Sequence, residues 1–344
     1  MIKGKTFFAG LILAALTACG PTGKSPSSDV IKVIFETDMG NDVDDALALD
    51  MLYKYMDAGK VDLLGVMINK ESEFSPEYVD IMNTWYGYPD IPIGIIHDGA
   101  ECDDAKNYAQ AVCEINGEDG SPAFRRTLKG DYGKLPEAPA LYRKILAAQE
   151  DNSVTIVSVG FSTNLARLLD TPGDKYSPLD GKELVARKVR LLCTMAGCFD
   201  KEDFHEYNVV KDIPAARKVF SEWPTRLVTS PFEVGIAINY PGTSIENDFP
   251  WAPTHPMVEA YRSYLPMPYD RPTWDLTSVL YGVEGPSLFT ESSSGTIEVT
   301  NEGSTVFTPS KDGNRYYLMV DSEQAGTIKN HFIEMVTARP KNVN

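Results

Sequence analysis

The densest chemistry in the chain lies in Glu36-Thr37-Asp38-Met39-Gly40-Asn41-Asp42-Val43-Asp44-Asp45-Ala46, where five carboxylates fall within ten residues. A helix starting here would favour an acidic first turn, which accounts for one or two of them, Asp44 and Asp45 first. Four aspartates between 38 and 45 exceed what a cap needs. Like charges this close repel one another unless a cation sits among them, and hard oxygen donors suit Ca²⁺ or Mg²⁺. The alternative is a solvated acidic loop.

Other metal chemistries fit less well. An EF-hand loop beginning at Asp38 would need glycine at its sixth position, where Val43 stands, and glutamate at its twelfth, where Leu49 stands. A phosphatase of the haloacid dehalogenase type would need an aspartate nucleophile where Glu36 stands. The five cysteines form no CxxC pair and no Cys/His ligand spacing, which argues against zinc. Cys102 and Cys113 could close a local disulfide or stay as thiols.

The elements that must position these residues follow from apolar patterning. Apolar, β-rich runs over 30–37, 61–68, 91–96, 154–159, 189–194 and 226–229 predict strands. Helical spacing predicts helices over 46–58, 76–86, 138–149, 163–169, 213–221 and 324–338. Strand and helix alternating in this way predict an α/β fold with a mostly parallel sheet covered on both faces. Residues 295–320 differ, with alternating runs and turns at Asn301-Glu302-Gly303 and Lys311-Asp312-Gly313-Asn314, and predict a small antiparallel appendage. The acidic cluster then sits where a first strand gives way to a helix, at the end of a sheet where open α/β folds bind ligands.

Composition excludes other classes. The 344 residues carry a formal net charge of −17, which argues against a nucleic-acid partner. Apolar residues at 43% and charged residues at 24% argue against a disordered chain. The N-terminus reads as a targeting segment: Lys3 and Lys5 precede the apolar run 7–18, too short to span a bilayer. It ends Leu16-Thr17-Ala18-Cys19-Gly20, similar to the lipobox of bacterial lipoproteins. That likeness implies a signal peptide over 1–18, a lipid anchor on Cys19, a tether over 19–29, and a cell-envelope location in a bacterium. One domain over 30–340 is expected, without repeats or internal linkers.

Taken in order, the motifs resemble those of the nucleoside hydrolase family, the inosine-uridine-preferring N-ribohydrolases. That family opens with a strand ending D-T-D-P-G-x-D-D-A; this chain reads E-T-D-M-G-N-D-V-D-D-A, with two extra residues before the Asp pair. Further blocks follow: 157–166, similar to P-x-G-P-L-T-N-I-A; Met195-Ala196-Gly197, Glu206-Tyr207-Asn208 and Asp212-Ile213-Pro214-Ala215-Ala216; and Pro272-Thr273-Trp274-Asp275-Leu276. The resemblance implies a Rossmann-type nucleoside hydrolase fold and a metal-dependent N-glycosyl hydrolase acting on a small-molecule nucleoside or related riboside. It implies a Ca²⁺ ion held by Asp38, Asp45, Asp275 and the Val159 carbonyl, with Asp38 also the catalytic base. It places Asp44 on the ribose hydroxyls, Glu206 and Asn208 on the ribose and its 5′ side, and Asn69 as another sugar contact. Homo-oligomers are common in the family, so assembly of identical chains is in keeping with it.

Two departures matter. Trp274 stands where the family has a histidine linked to leaving-group protonation, and an indole N–H cannot transfer a proton near neutral pH. It can stack on a base or sugar, or simply fill space. Cys198 follows Gly197 where the family often has asparagine. Of the four histidines, His205 is the one placed to reach the pocket. Three readings therefore remain open at this level: an envelope-anchored N-ribohydrolase, a hydrolase of another glycosidic bond such as an ADP-ribosyl one, and a noncatalytic lipoprotein that binds a ribose-like ligand. Retention of Asp38, Asp45 and Asp275 favours catalysis, because a sugar binder needs no water-activating base.

Overall fold

The computed structural model describes residues 1–2, 4, 30–102 and 107–342. The tether, Cys19 and nearly all of the expected signal peptide lie outside the described residues. The apolar runs form six parallel strands: β1 (Ile31–Thr37), β2 (Val61–Ile68), β3 (Ile93–Gly94), β4 (Val154–Ser158), β5 (Val189–Met195) and β6 (Arg226–Ser230). Later come a separate antiparallel pair, β7 (Asn239–Tyr240) and β8 (Arg271–Pro272), and then β9 (Thr290–Glu291), β10 (Gly295–Val299), β11 (Thr305–Pro309) and β12 (Arg315–Met319).

Strand order in the main sheet is β11-β10-β12-β6-β5-β4-β1-β2-β3, with β9 on β12. The expected small antiparallel segment is present, joined to the edge of the main sheet. β12 pairs parallel with β6 and carries β10 and β11 as an extension of the sheet edge. β1 pairs with β2 on one side and β4 on the other, both parallel. Chain order reverses direction there, which opens a crevice at the carboxyl ends of β1 and β4.

Helices cover both faces. In the first half they are α1 (Asp44–Asp57), α2 (Ser75–Trp85), α3 (Tyr108–Cys113), α4 (Ala138–Ala147), α5 (Thr163–Leu169) and α6 (Gly181–Lys188). The second half adds α7 (Tyr207–Lys211), α8 (Ile213–Glu222), α9 (Phe232–Ile236) and α10 (Gly242–Asn247). It closes with α11 (Pro256–Tyr264), α12 (Trp274–Glu284) and α13 (Ser322–Thr337). Successive residues of β1 feed opposite faces. Val33 and Phe35 join the core under α1 and α12, and Ile34 joins the core under α4, α5 and α8. Each such side chain contributes about 1.5–3 kcal/mol by leaving water.

Two departures from the sequence pattern bear on the site. α1 begins at Asp44, two residues earlier than its apolar spacing shows, so Asp44 and Asp45 form its first turn. α12 carries no polar face for a helical pattern to stand against; its residues 275–282 are all buried between α1 and strands β4 and β5. Cys113, Cys193 and Cys198 are thiols outside any disulfide, and Cys102 Sγ donates to Asn41 Oδ1 at 3.1 Å. No helix among the described residues is long and apolar enough to cross a membrane.

Candidate active site

At the carboxyl end of β1 the chain turns through residues 38–43 into α1, and this turn forms the floor of a cavity of about 690 Å³. Asp38, Asp44, Asp45 and Asp275 line it and are buried, with residual exposures of 5%, 2%, 1% and 4%. Asp275 arrives from the first turn of α12, and its backbone N–H donates to Asp44 Oδ2 at 3.1 Å. That bond joins the first turns of two buried helices, and each turn presents a carboxylate. Thr37 Oγ1 donates to Asp45 Oδ1, and the Asn41 amide donates to Asp38 Oδ2 at 2.7 Å. Lys70 in turn donates to Asn41 Oδ1 at 2.7 Å.

Burial is the main force on these carboxyls. It pushes Asp38 up to about 6, against the pull of Asn41 and Lys70. Asp45 is raised well above the usual carboxylate range by burial and then by Asp38 and Asp44. Asp275 is raised likewise, by burial and then by Asp44, Asp45 and Asp38. Asp44 is also raised well above the usual range, by burial and then by Asp42, with Arg271 drawing it partly back down. Arg271 itself pairs with Asp42, with Nε donating at 2.7 Å. Asp42 thus serves the rim as an ion pair, and the inner aspartates face one another.

The second wall comes from β4, β5 and the segment leading into α7. Glu206 is buried and accepts three backbone N–H bonds, from Asn208 at 2.9 Å and from Val209 and Gly197 at 3.1 Å. These bonds favour the carboxylate, but burial outweighs them and lifts Glu206 to about 7. Asn208 donates its amide to the carbonyls of Val159, at 3.2 Å, and Met195, at 3.1 Å. It therefore fixes the Val159 carbonyl, the oxygen that the sequence resemblance assigns to the cation. Glycine at 160 is required by close approach, because a Cβ there would lie 2.5 Å from Asn69 Oδ1 and 2.7 Å from Asp38 Oδ1.

Asn69, expected as a sugar contact, lies next to Asp38 and Gly160 but is not among the residues that line the cavity. It is fully buried behind Asp38, donates its amide to Glu36 at 3.2 Å, and leaves Oδ1 without a partner among the described residues. The physical reason is Glu36, whose extra methylene reaches Asn69 and Tyr142 beneath the floor and whose carboxyl burial pushes up to about 8. Trp274 does line the cavity. Its indole N–H donates to the Phe232 carbonyl at 3.0 Å and its ring packs on Phe232, so it serves as an aromatic wall. His205 lines the cavity as an exposed side chain. Residues the sequence reading missed are Phe204, Tyr207, Lys211, Phe232 and Tyr264 on the walls, and Asn41 at the floor. Three of these five wall residues lie within five positions of Glu206, so the local motif held the signal.

The donor set fits a hard divalent cation. Asp38, Asp45 and Asp275 offer only oxygen, and Val159 lines the same cavity. Among the described residues, the one trio of metal-ligating side chains with atoms within 4.8 Å of one another is Cys198, Asp200 and Glu233, outside this cavity. Asp38, Asp45 and Asp275 do not form such a trio. The Cys198 thiol, pushed up to about 12 by burial, is a hydrogen-bond donor to Asp200 at 3.2 Å and so a poor ligand.

Comparisons with known proteins agree with this geometry. The family model described as inosine-uridine preferring nucleoside hydrolase matches residues 33–328. A plant nucleoside hydrolase, the PpNRh1 enzyme, superposes with a TM-score of 0.66 at 19% identity, covering 90% of this chain and 99% of its own. The inosine-uridine preferring nucleoside hydrolase of Bacillus anthracis gives 0.64 at 18%, covering 89% and 100%. The type III effector XopQ, solved with adenosine diphosphate ribose, gives 0.62 at 15%, covering 90% and 95%. No curated protein matches the chain at the level of sequence.

Proposed function

Because the chain belongs to the inosine-uridine preferring nucleoside hydrolase family and is a glycosyl hydrolase, we propose that it cleaves the N-glycosidic bond of a ribonucleoside or related N-riboside with the help of a bound divalent cation. The observation that carries this reading is the set of four buried aspartates on one cavity floor, of which Asp45 and Asp275 are surrounded by further carboxyls. A hard cation, Ca²⁺ by preference, would be held by Asp38, Asp45, Asp275 and the Val159 carbonyl, and would supply positive charge that acidifies a water.

The protein groups do the rest. Asp38 takes the proton of the attacking water, with Oδ2 steadied by Asn41. Asp44 accepts hydrogen bonds from the ribose hydroxyls, and the Asp275 N–H fixes its orientation. Breaking the bond builds positive charge at the anomeric carbon, and the surrounding carboxylates, Glu206 among them, stabilise it. Trp274, Phe232 and Tyr264 offer an aromatic wall on which a planar leaving group stacks.

One observation favours a narrower substrate. The Trp274 N–H is occupied by the Phe232 carbonyl, so position 274 holds no acid for the departing base. A leaving group that departs unaided suits this pocket, and an ADP-ribosyl bond is one candidate, in keeping with the ligand of the XopQ structure. The test is release of base and ribose from a nucleoside panel and from p-nitrophenyl riboside, with and without EDTA. We expect metal-dependent hydrolysis with the nitrophenyl riboside far ahead of inosine. Equal rates would reveal an acid elsewhere in the pocket, and no hydrolysis of any riboside with Ca²⁺ present would overturn the reading. On sequence grounds alone we also propose a lipid anchor on Cys19 at the cell envelope. Cys19→Ala should then move the protein to the soluble fraction.

A further inference from the structure

In a chain of net charge −17, with a cavity floor made of carboxylates, a lysine lining that same cavity is out of keeping with its surroundings. Lys211 is that lysine. Among the described residues it forms no ion pair, and its ammonium instead lies 5.1 Å from the centre of the Tyr207 ring. Tyr207 is 45% exposed, and its ring packs against Phe161 at 6.0 Å, so the platform under the ammonium is held in place. Lys201, exposed nearby, is placed the same way, 5.2 Å from the ring of Phe204 and 5.0 Å from that of Phe232. An aromatic face attracts a cation without cancelling its charge, so both ammonium groups keep their attraction for an anion. Other cations at the site are differently engaged: Arg271 is paired with Asp42, and Lys70 donates to Asn41 beneath the floor.

The backbone links this cation to the sugar end. Glu206 and Asn208 are buried on the cavity wall, while Tyr207 between them is exposed on that wall and carries the Lys211 ammonium over its ring from one helical turn further along α7. A ligand with its hydroxyls on the buried carboxylates and an anionic group beside Tyr207 matches both ends. A plain nucleoside matches only one.

We propose that Lys211, on its Tyr207 platform, is a phosphate subsite, and that the N-riboside taken by this enzyme carries a phosphate or diphosphate on its 5′ side. This rests on the hydrolase reading above for the orientation of the sugar. A cavity of about 690 Å³ has room for such a ligand.

Two measurements test it. Calorimetric binding of ribose 5-phosphate and of ribose to the wild type should differ by about tenfold or more, the difference shrinking at high salt. Lys211→Gln should remove most of that ratio, and Lys211→Arg should retain part of it, because guanidinium also binds phosphate. In parallel, kcat/KM for inosine, its 5′-monophosphate and its 5′-diphosphate gives the same ratio for turnover. A preference for the monophosphate assigns the site to a single phosphate at Lys211, and a preference for the diphosphate that falls in Lys201→Gln brings Lys201 into it. Equal binding of ribose and ribose 5-phosphate, or a ratio that Lys211→Gln leaves intact, overturns the subsite. If phosphate binding depends on Lys211 but no riboside is hydrolysed, the subsite stands and the hydrolase reading falls. If inosine is hydrolysed with no preference for its phosphates, the reverse holds.

Discussion

Helix α1 carries two buried charged clusters, roughly 7 Å apart along its axis, and they are built in opposite ways. In the second, Asp50 pairs with Lys54 at 2.9 Å and accepts the Tyr86 hydroxyl, while Lys54 donates to the Val336 carbonyl. His255 lies beside Tyr86, with its ring 4.1 Å from that of Trp85, and burial drives it well below its ordinary pKa, so it stays neutral. Every charge there has an answer from the protein. In the first, Asp45 meets Asp38, Asp44 and Asp275, and Asp275 meets the same acids. Burial alone therefore does not mark a functional site. Burial without a counter-charge does, because a protein that leaves carboxylates facing each other is less stable than it could be unless something positive binds there.

Breaking each cluster should have different consequences. The largest effect is on rate. Asp38→Asn keeps an oxygen ligand but cannot take a proton, so kcat should fall about 10²–10⁴-fold with the fold intact. Steady-state kinetics beside circular dichroism checks this, and undiminished turnover removes Asp38 as base.

In the compensated cluster the effect is on stability. Lys54→Met leaves Asp50 buried without its ion-pair partner and should cost about 3–5 kcal/mol by urea denaturation. The double variant Asp50→Leu with Lys54→Met should recover much of that loss. If the single variant is as stable as the wild type, the two clusters do not differ as argued.

Metal should stabilise only the uncompensated cluster. Ca²⁺ at 100 times its dissociation constant should raise stability by about 2.7 kcal/mol. Asp275→Asn should lose most of that gain, and Lys54→Met should keep it. Equal gains in all three would place the ion elsewhere.

The smallest effect separates the clusters by pH. His255 is neutral in the fold, and its unfolded form protonates below pH 6.5. Its contribution is complete above that value and is lost as pH falls, by about 1.4 kcal/mol per pH unit. The raised carboxyls of the other cluster act in the opposite direction, because their native forms hold protons that the unfolded chain releases. The measurement is therefore a difference: between pH 7.5 and 5.5 the wild type should lose about 1.4 kcal/mol relative to His255→Asn, which keeps a cap acceptor at α11 but does not titrate. Parallel profiles would mean His255 is protonated in the fold.

Much of the site was legible because its parts are local. Glu36 to Ala46 and Glu206-Tyr207-Asn208 each bring several functional groups within a few residues, and strand patterning put the first of them at a sheet end. The burial of Asn69 was not legible, because its position depends on Glu36, Tyr142 and the close approach of Gly160, three distant segments. α12 was not seen as a helix because a segment buried on every side has no polar face to reveal its period. Lys211 went unnoticed because a lysine in sequence does not show whether a carboxylate will meet it.

By itself the sequence determined the parallel α/β order, the acidic turn after the first strand and the likeness that ties its blocks together. These rest on local propensity, on apolar period and on residues adjacent in the chain. Only the tertiary structure decided which acids would share a cavity without an ion-pair partner. Asp275 reaches Asp44 across 231 positions, Arg271 neutralises Asp42 rather than Asp45, and Asn208 aims the Val159 carbonyl from the next strand's loop. The physical reason is that charge compensation depends on distance and burial in three dimensions, and neither is a property of any one segment.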